Sequence, residues 1–357
     1  MKKICFLIGN INLTGGTERV SSLIANGLSQ KKYDVCILSL FEGEKPVFKL
    51  NNDIQLFSLF KQKKSFKLVF MQTIWKIRQF VLQHNIDTLI VVDSISCVFT
   101  VPALWGLKTR HICWEHFNFL NNNGSKLRDL GRKFAVKHCD VVVTLTQRDQ
   151  DTWKANLSTI RSKMMVIANP TPYENVKHQP CQNFKTVVAV GRLRHVKGFD
   201  LLLAAWAKVC QRNLDWKLVI VGGGEEAQNL QQMAQNLAIE QRVDFVGSCS
   251  DITEYYKKSS IFCLSSRSEG FGMVLLEAQA FALPIVAFDC EMGPAELIHD
   301  QVNGFLCAKE NPHDLAKKLL KIIDLDQKKY QQFSQQAQLN SQKYKLENII
   351  GHWSEVL

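Results

Sequence analysis

The sequence predicts an α/β protein made of two Rossmann-like domains that face each other across a cleft. Three observations predict it. The 357 residues exceed what one domain of about 100–200 residues accommodates. Short β-rich apolar runs alternate with longer amphipathic segments, the pattern of a parallel, doubly wound sheet. The alternation stops near residue 170, in a stretch holding three prolines, and then restarts. With 46% hydrophobic and 22% charged residues, the composition is that of a folded globular protein and excludes a disordered chain.

Met1-Lys2-Lys3 followed by Ile4 to Gly9 is too short in its apolar part for a signal peptide and runs into Asn10, Asn12 and a glycine pair, so it reads as a first strand and its loop. A helix from Val20 to Gln30, the strand DVCILSL, a helix from Phe66 to His84 and the strand DTLIVVD follow. The apolar stretch Val98 to Leu107 is interrupted by Pro102 and falls far below the ~20 residues of a membrane-spanning helix. DVVVTLT and KMMVIAN complete a first domain, residues 1–170. The linker ANPTPYENVKHQPCQNFK carries Pro170, Pro172 and Pro180 and little apolar periodicity. A second domain, residues 171–340, reads as TVVAVG, a helix from Leu201 to Cys210, WKLVIVGGG, a helix from Leu230 to Leu237, RVDFVG, SIFCLSS and LPIVAFD. No sequence repeat relates the halves. Residues 341–357 form a C-terminal helix expected to pack back on the first domain.

Eleven cysteines occur without a CxxC pair, as suits buried free thiols in a reducing compartment, and the chain is read as cytosolic. Charge is uneven. Residues 1–170 hold 24 Lys and Arg against 12 Asp and Glu, whereas the whole chain carries +11, so the second half is close to neutral. Such asymmetry points the first domain at an anionic partner, either a membrane surface or nucleic acid.

In open α/β sheets ligands gather beyond the carboxyl ends of the strands, so the loops there carry the argument. RSEGFGMVLLEAQAFALP at 267–284 directly follows SIFCLSS. Glu269 falls in the strand-to-helix turn, while Gly270 and Gly272 let a ligand approach the backbone amides of Phe271, Gly272 and Met273 at a helix N-terminus. Glu277, eight residues on, lies inside the helix, placed to accept hydrogen bonds from a diol. GRLRHVKGFD at 191–200 again follows a strand and offers Arg192 and Lys197. In the first domain TGGTERV places Gly15 and Gly16 between the first strand and the first helix, and HICWEHFN places His116 after a strand-like segment.

The spacing of Glu269 and Glu277 resembles the E-x7-E motif of retaining family-4 glycosyltransferases, and the resemblance extends along most of the chain through FVGSCSDITEYY, GPAELI and VNGFL. It implies the two-domain GT-B architecture and transfer of a hexose or N-acetylhexosamine from a nucleotide sugar to a saccharide or lipid-linked acceptor in envelope polysaccharide synthesis. By the same resemblance Arg192 and Lys197 hold the donor diphosphate, Glu277 the ribose and Glu269 the sugar hydroxyls. Gly15 and Gly16 would face the donor, and His116 would sit near the reacting sugar. Glu115-His116 in WEHFN resembles galactose- and N-acetylhexosamine-transferring relatives, which makes UDP the expected nucleotide, with GDP-mannose the open alternative. No first-domain carboxylate compels a covalent intermediate, so a same-face displacement without metal or further cofactor is expected, resting on positioning and on cationic stabilisation of the leaving diphosphate.

Two rivals remain at this stage. Gly222-Gly223-Gly224-Glu225-Glu226-Ala227, with Asp244 beyond it, fits a dinucleotide fingerprint and an NAD-dependent epimerase or oxidoreductase. The basic first half alone would suit a nucleic-acid-binding module, although no base-reading or stacking motif accompanies it. Asp324-Leu325-Asp326 mimics a D-x-D metal motif inside a Lys-rich helical stretch, and no metal is assigned to it. Finally, Lys61, Lys63, Lys64 and Lys67 open a helix whose inner stripe includes Val69, Ile77 and Phe80, while Leu68, Met71 and Trp75 lie beyond that stripe. That combination predicts docking on an anionic membrane, hence a peripheral location on its inner face.

Overall fold

The computed structural model describes residues 1–122, 124–212, 215–249 and 251–357, without the side chains of Phe66 and Lys67. The chain divides into two compact units, Met1–Pro170 with Leu346–Leu357, and Thr171–Lys345.

In the first unit the order is β1 (Lys3–Ile8), α1 (Gly16–Gln30), β2 (Asp34–Phe41), β3 (Gln55–Phe60), α2 (Phe66–Gln83), β4 (Thr88–Val92), α3 (Cys97–Leu104), β5 (Arg110–Trp114), α4 (Lys126–His138), β6 (Val141–Thr144), α5 (Gln147–Asn156) and β7 (Lys163–Val166). The strands form one parallel sheet in the order β3-β2-β1-β4-β5-β6-β7. Helices cover both faces, so central strands are continuous apolar runs rather than alternating ones, as TLIVV of β4 shows with every residue buried. The edge strand β3 escapes the sequence reading because its first residues are exposed or half-buried. The Val98–Leu107 run becomes the short buried helix α3, which ends at Leu104, just past Pro102.

The second unit runs β8 (Thr186–Val190), α6 (Phe199–Cys210), β9 (Lys217–Val221), α7 (Ala227–Asn236), β10 (Val243–Gly247), α8 (Thr253–Lys257), β11 (Ile261–Leu264), α9 (Met273–Ala280), β12 (Ile285–Phe288), α10 (Pro294–Leu297), β13 (Gly304–Cys307), α11 (Pro312–Ile323) and α12 (Gln327–Gln342). Its parallel sheet has the order β10-β9-β8-β11-β12-β13. Its core includes Leu202, Trp206, Leu218, Ile220 and Val286, each fully buried and each worth roughly 1.5–3 kcal/mol on the scale of a large apolar side chain leaving water.

The last helix, α13 (Leu346–Ser354), belongs to the first unit. Trp353 meets Trp114 edge-on at 4.9 Å, and Gly27 of α1 admits Ile350, since a Cβ there would lie 2.6 Å from its Cγ1. The chain therefore changes units at Leu346 rather than at 341. Residues 341–345 stay behind because α12 is held in the second unit, where Asn340 Nδ2 donates to Gln279 Oε1 (3.1 Å) and to the Leu297 carbonyl (2.9 Å).

Candidate active site

Each sheet reverses its winding once, between β1 and β4 in the first unit and between β8 and β11 in the second. At such a point the flanking connections leave on opposite faces and open a crevice at the carboxyl ends of the strands. The loops singled out from sequence follow these strands.

In the second unit the loop after β8 carries Arg192 and Lys197, and the loop after β11 carries Glu269. They meet. Lys197 Nζ lies 2.7 Å from Glu269 Oε1, and Ser266 Oγ donates to the same oxygen at 2.6 Å. Glu269 Oε2 and the remaining two ammonium hydrogens of Lys197 have no partner among the described residues. The backbones touch as well. Gly198, at φ 63°, closes the first loop, and a Cβ there would stand 2.0 Å from the Ser265 carbonyl. Ser265 Oγ donates to the Lys197 carbonyl (3.1 Å), and the Arg267 amide to that of Val196 (2.8 Å). Arg267 staples the pair. It donates to the His195 carbonyl at 2.6 Å and forks onto Asp200 at 2.8 and 2.6 Å, at the start of α6. That fork holds the Asp200 carboxyl below its ordinary range, against its partial burial.

Arg192 is exposed; its carbonyl accepts from the Arg194 amide at 2.8 Å, while its guanidinium makes no hydrogen bond among the described residues. Its loop is seated on the glycine run after β9. A Cβ at Gly222 would lie 1.9 Å from the Gly191 carbonyl, and one at Gly224 2.3 Å from that of Leu193. Leu193 N donates to the Gly223 carbonyl at 2.9 Å, and Glu226 N to that of Leu193 at 3.0 Å. These glycines thus admit a neighbouring loop where the fingerprint reading put a pyrophosphate, and they follow a flanking strand rather than one at the winding reversal. Asp244 lies on β10, exposed, near Lys217.

Gly272, at φ 89°, caps α9, and the amides of Gly270, Phe271, Gly272 and Met273 make no hydrogen bond among the described residues. The Phe271 ring is buried against Tyr344 at 6.1 Å, so only its backbone is open to a ligand. Glu277 lies inside α9, 3% exposed, and Tyr256 donates to its Oε2 at 2.9 Å. A buried carboxylate oriented by a tyrosine is a fixed acceptor rather than a solvated surface charge.

In the first unit Gly15 is the N-cap of α1 and Gly16 its first residue, with the Glu18 carboxylate folded back over Gly15. A cavity of about 230 Å³ opens at the carboxyl ends of β1 and β4, lined by Gly9, Thr17, Glu18, Phe41, Asp93 and Phe117 among others. His116 follows β5, its ring 4.3 Å from that of Trp114. Its Nε2 is buried without a partner among the described residues, and burial pushes its pKa down to about 3, so the imidazole is neutral near pH 7.

Sequence reasoning missed a buried charge network behind His116. Glu115 Oε1 accepts from the amides of His116 (3.0 Å) and Phe117 (3.1 Å), while its Oε2 accepts from Ser94 Oγ and from Arg132 Nε (3.4 Å). Asp93, just past β4 at φ 80°, is paired with Arg128 at 2.7 Å. Burial, with Glu115 nearby and against the pull of Arg128, pushes its pKa up to about 7. Arg128 and Arg132 stand one turn apart on α4, which approaches closely because Gly131 sits against the Ser94 carbonyl, where a Cβ would lie at 2.2 Å. WEHFN and the paired arginines were visible in the sequence, but their meeting depends on contacts between β4, β5 and α4.

Elsewhere Asp326 caps α12 by accepting from Lys329 N (2.8 Å), and Asp324 pairs with Arg212 (3.4 Å), so the D-x-D look-alike serves helix ends. Cys97, His111 and Cys139 place ligand atoms within 4.8 Å of one another and are buried. His111 Nδ1 lies 3.5 Å from Cys139 Sγ and its Nε2 3.0 Å from Thr100 Oγ1, a chain of hydrogen bonds that satisfies the imidazole without a metal. Lys61, Lys63 and Lys64 are exposed in the loop before α2, and the Lys67 side chain is outside the described residues.

Residues 14–174 match the family model Glycosyltransferase Family 4, and residues 174–340 match Glycosyl transferases group 1. An uncharacterized glycosyltransferase of Haemophilus influenzae is 41% identical, covering 100% of both chains. The amylovoran biosynthesis glycosyltransferase AmsD of Erwinia amylovora is 31% identical, again over 100% of both. An α-1,4-N-acetyl-D-galactosaminyltransferase of Campylobacter jejuni, whose name specifies a diNAcBac-PP-undecaprenol-linked acceptor, is 26% identical over 100% of this chain and 98% of the relative. Among solved structures, Anabaena HepE in complex with UDP and glucose superposes with a TM-score of 0.81 at 21% identity, covering 99% of each chain. With two Rossmann-like domains of the GT-B fold and full-length relatives of this kind, the chain belongs to glycosyltransferase family 4, the group 1 glycosyltransferases of polysaccharide biosynthesis.

Proposed function

We propose that the enzyme moves a hexose or N-acetylhexosamine from a UDP-linked donor, with retention of anomeric configuration, to a saccharide or lipid-linked acceptor in envelope polysaccharide synthesis. The meeting of Lys197 and Glu269 at the winding reversal of the second sheet carries this reading. Lys197 there keeps two donors for phosphate oxygens, and Glu269 keeps one oxygen for a sugar hydroxyl. Arg192 supplies a forked guanidinium to the same diphosphate, and the open amides from Gly270 to Met273 a second cradle. Glu277, held by Tyr256, accepts from the ribose. UDP and glucose in HepE, and a polyprenyl-linked acceptor for the Campylobacter relative, support the nucleotide and the acceptor class.

In this mechanism the bond from the anomeric carbon to the diphosphate oxygen breaks with its electron pair going to the phosphate. The acceptor oxygen attacks from the same face and gives its proton to that leaving oxygen. Arg192 and Lys197 stabilise the charge as it develops, so neither metal nor further cofactor is invoked. Gly15, Gly16 and neutral His116 are the first-domain residues proposed to serve the sugar, with a cytoplasmic, peripheral location at an anionic membrane surface. Isothermal titration with UDP tests the donor assignment. Lys197→Ala and Glu277→Ala should each weaken binding with folding intact, whereas Glu269→Ala should lower turnover more than affinity. Unchanged UDP affinity in both of the first two variants would reject it.

A further inference from the structure

Helix α2 has two apolar faces, and the sheet covers one. Val69, Thr73, Ile77, Phe80 and Val81 are buried. Met71, Trp75 and Leu82, at the spacings of a single helical stripe, are 73%, 60% and 48% exposed, and Leu68, just before the kink at Val69 (φ −115°, ψ 15°), is 86% exposed. Arg78 falls in that stripe but bends away, its Nη1 donating to the carbonyls of Ala103 (2.9 Å) and Trp105 (2.8 Å). It thereby ties the end of α3 to α2 and fixes Trp105, 74% exposed, beside the stripe. The chain has seven tryptophans; Trp114, Trp153, Trp206, Trp216 and Trp353 are buried, so the two that face solvent stand on this one surface.

We infer that the outer stripe of α2, with Trp105 pinned by Arg78, is the surface that enters an anionic lipid bilayer. This deepens the proposed membrane partner and rests on that reading for its use in catalysis. The charges select the occupant. No acidic residue lies between Asp53 and Asp87, a segment that holds Lys61, Lys63, Lys64, Lys67, Lys76 and Arg78. Lys61, Lys63 and Lys64 are exposed at the start of α2, and Lys108 is exposed at the far end, near Trp105. The nearest acidic groups at that end, Asp87 and Asp140, accept from the amides of Lys3 and His111 at 2.7 Å each. An apolar stripe that runs about 16 Å along the helix from Met71 to Leu82, extended by Leu68 beyond the kink, ended by lysines and flanked by Trp105, fits the plane of the headgroups. Because α2 runs antiparallel to the strands, the three lysines stand at the carboxyl edge of the sheet, where Asp93 and His116 also lie. A headgroup-borne acceptor is thereby presented at the edge where the first-domain site lies.

Tryptophan emission of the full chain tests this, because the five buried rings give a constant background. Vesicles of phosphatidylglycerol and phosphatidylcholine should shift emission to the blue, brominated lipids should quench it, and both effects should fade with salt and be weak on pure phosphatidylcholine. Leu68→Ser/Met71→Ser/Trp75→Ser should lower partitioning at least roughly ten-fold, as withdrawal of three large apolar groups implies, with unchanged thermal unfolding and unchanged transfer to a soluble acceptor. Lys61→Glu/Lys63→Glu/Lys64→Glu should abolish the salt-sensitive part. Absence of any shift on anionic vesicles, equal partitioning of the triple serine variant, or self-association that buries these tryptophans without lipid would overturn the inference. A protein that partitions as described yet transfers no sugar to any acceptor would instead overturn the proposed reaction and leave the docking surface standing.

Discussion

Lys197→Met removes one side of a pair whose partners are unequally buried. Glu269 is 9% exposed and Lys197 28%, with 2.7 Å between the charged atoms. Without the ammonium, the carboxylate keeps Ser266 as its remaining side-chain donor and is left nearly buried. An unsatisfied charged acceptor in that setting costs about 1–3 kcal/mol, toward the lower end because the lysine side is partly solvated. In a domain of this size each kcal/mol moves the midpoint by roughly 2–4 °C, so about 1–2 kcal/mol should lower it by about 2–8 °C. Glu269→Gln is the asymmetric control. The amide oxygen still accepts from Ser266 and Lys197, and the charge left unpaired belongs to the more exposed partner, so its midpoint should fall by less than half as much. UDP should raise the midpoint of wild type and of Glu269→Gln, and hardly that of Lys197→Met. Equal destabilisation by the two substitutions, or full UDP protection of Lys197→Met, would refute the account of this pair.

Other outcomes follow from the same geometry. Gly198→Ala places a methyl at φ 63°, 2.0 Å from the Ser265 carbonyl; beyond the ~1 kcal/mol of a left-handed alanine it must part the two loops, so chemical denaturation should show a larger loss and titration a weaker UDP affinity. Asp149 is pushed up to about 7 by burial, so its contribution to stability is present at low pH and lost as pH rises from about 4 through 7. Asp149→Asn can still accept from the Phe119 amide, and unfolding curves should show the variant gaining on wild type across that window. His116 has the opposite sign: its pKa is depressed to about 3, so its contribution is lost as pH falls below about 6.5, and His116→Asn should flatten that limb. Transfer activity should survive EDTA; loss on chelation with rescue by Mn²⁺ would contradict the metal-free mechanism.

The parallel sheets were legible because buried strands such as TLIVV and KLVIV are apolar over nearly their full length and alternate with amphipathic helices. The two loops of the candidate site were legible as strand-following loops because their residues are local, an Arg and a Lys after one strand and two glutamates after another. What joins those loops was not. Arg267 sits in the quoted motif, yet its partners His195 and Asp200 lie far away in sequence. The Asp93–Glu115–Arg128–Arg132 network has no spacing to find, because three elements build it and a glycine on α4 admits it. The glycine run after β9 shows the converse. Three consecutive glycines suit a pyrophosphate and a neighbouring loop equally well, and only the approach of Gly191 and Leu193 tells them apart. In α2 the sequence already told the inner stripe of Val69, Ile77 and Phe80 from Leu68, Met71 and Trp75, and burial agrees; the pinning of Trp105 by Arg78 was not legible, because it joins two separate helices.

The central claim is a retaining transfer from a UDP-linked donor, and the anomeric configuration of the product tests it most directly. Purified enzyme supplied with UDP-glucose, UDP-galactose or their N-acetyl counterparts and a saccharide acceptor should release UDP and form a linkage that proton NMR reads as α, matching the donor. A β linkage, or turnover with GDP- or NAD-linked compounds and none with UDP sugars, would contradict the account.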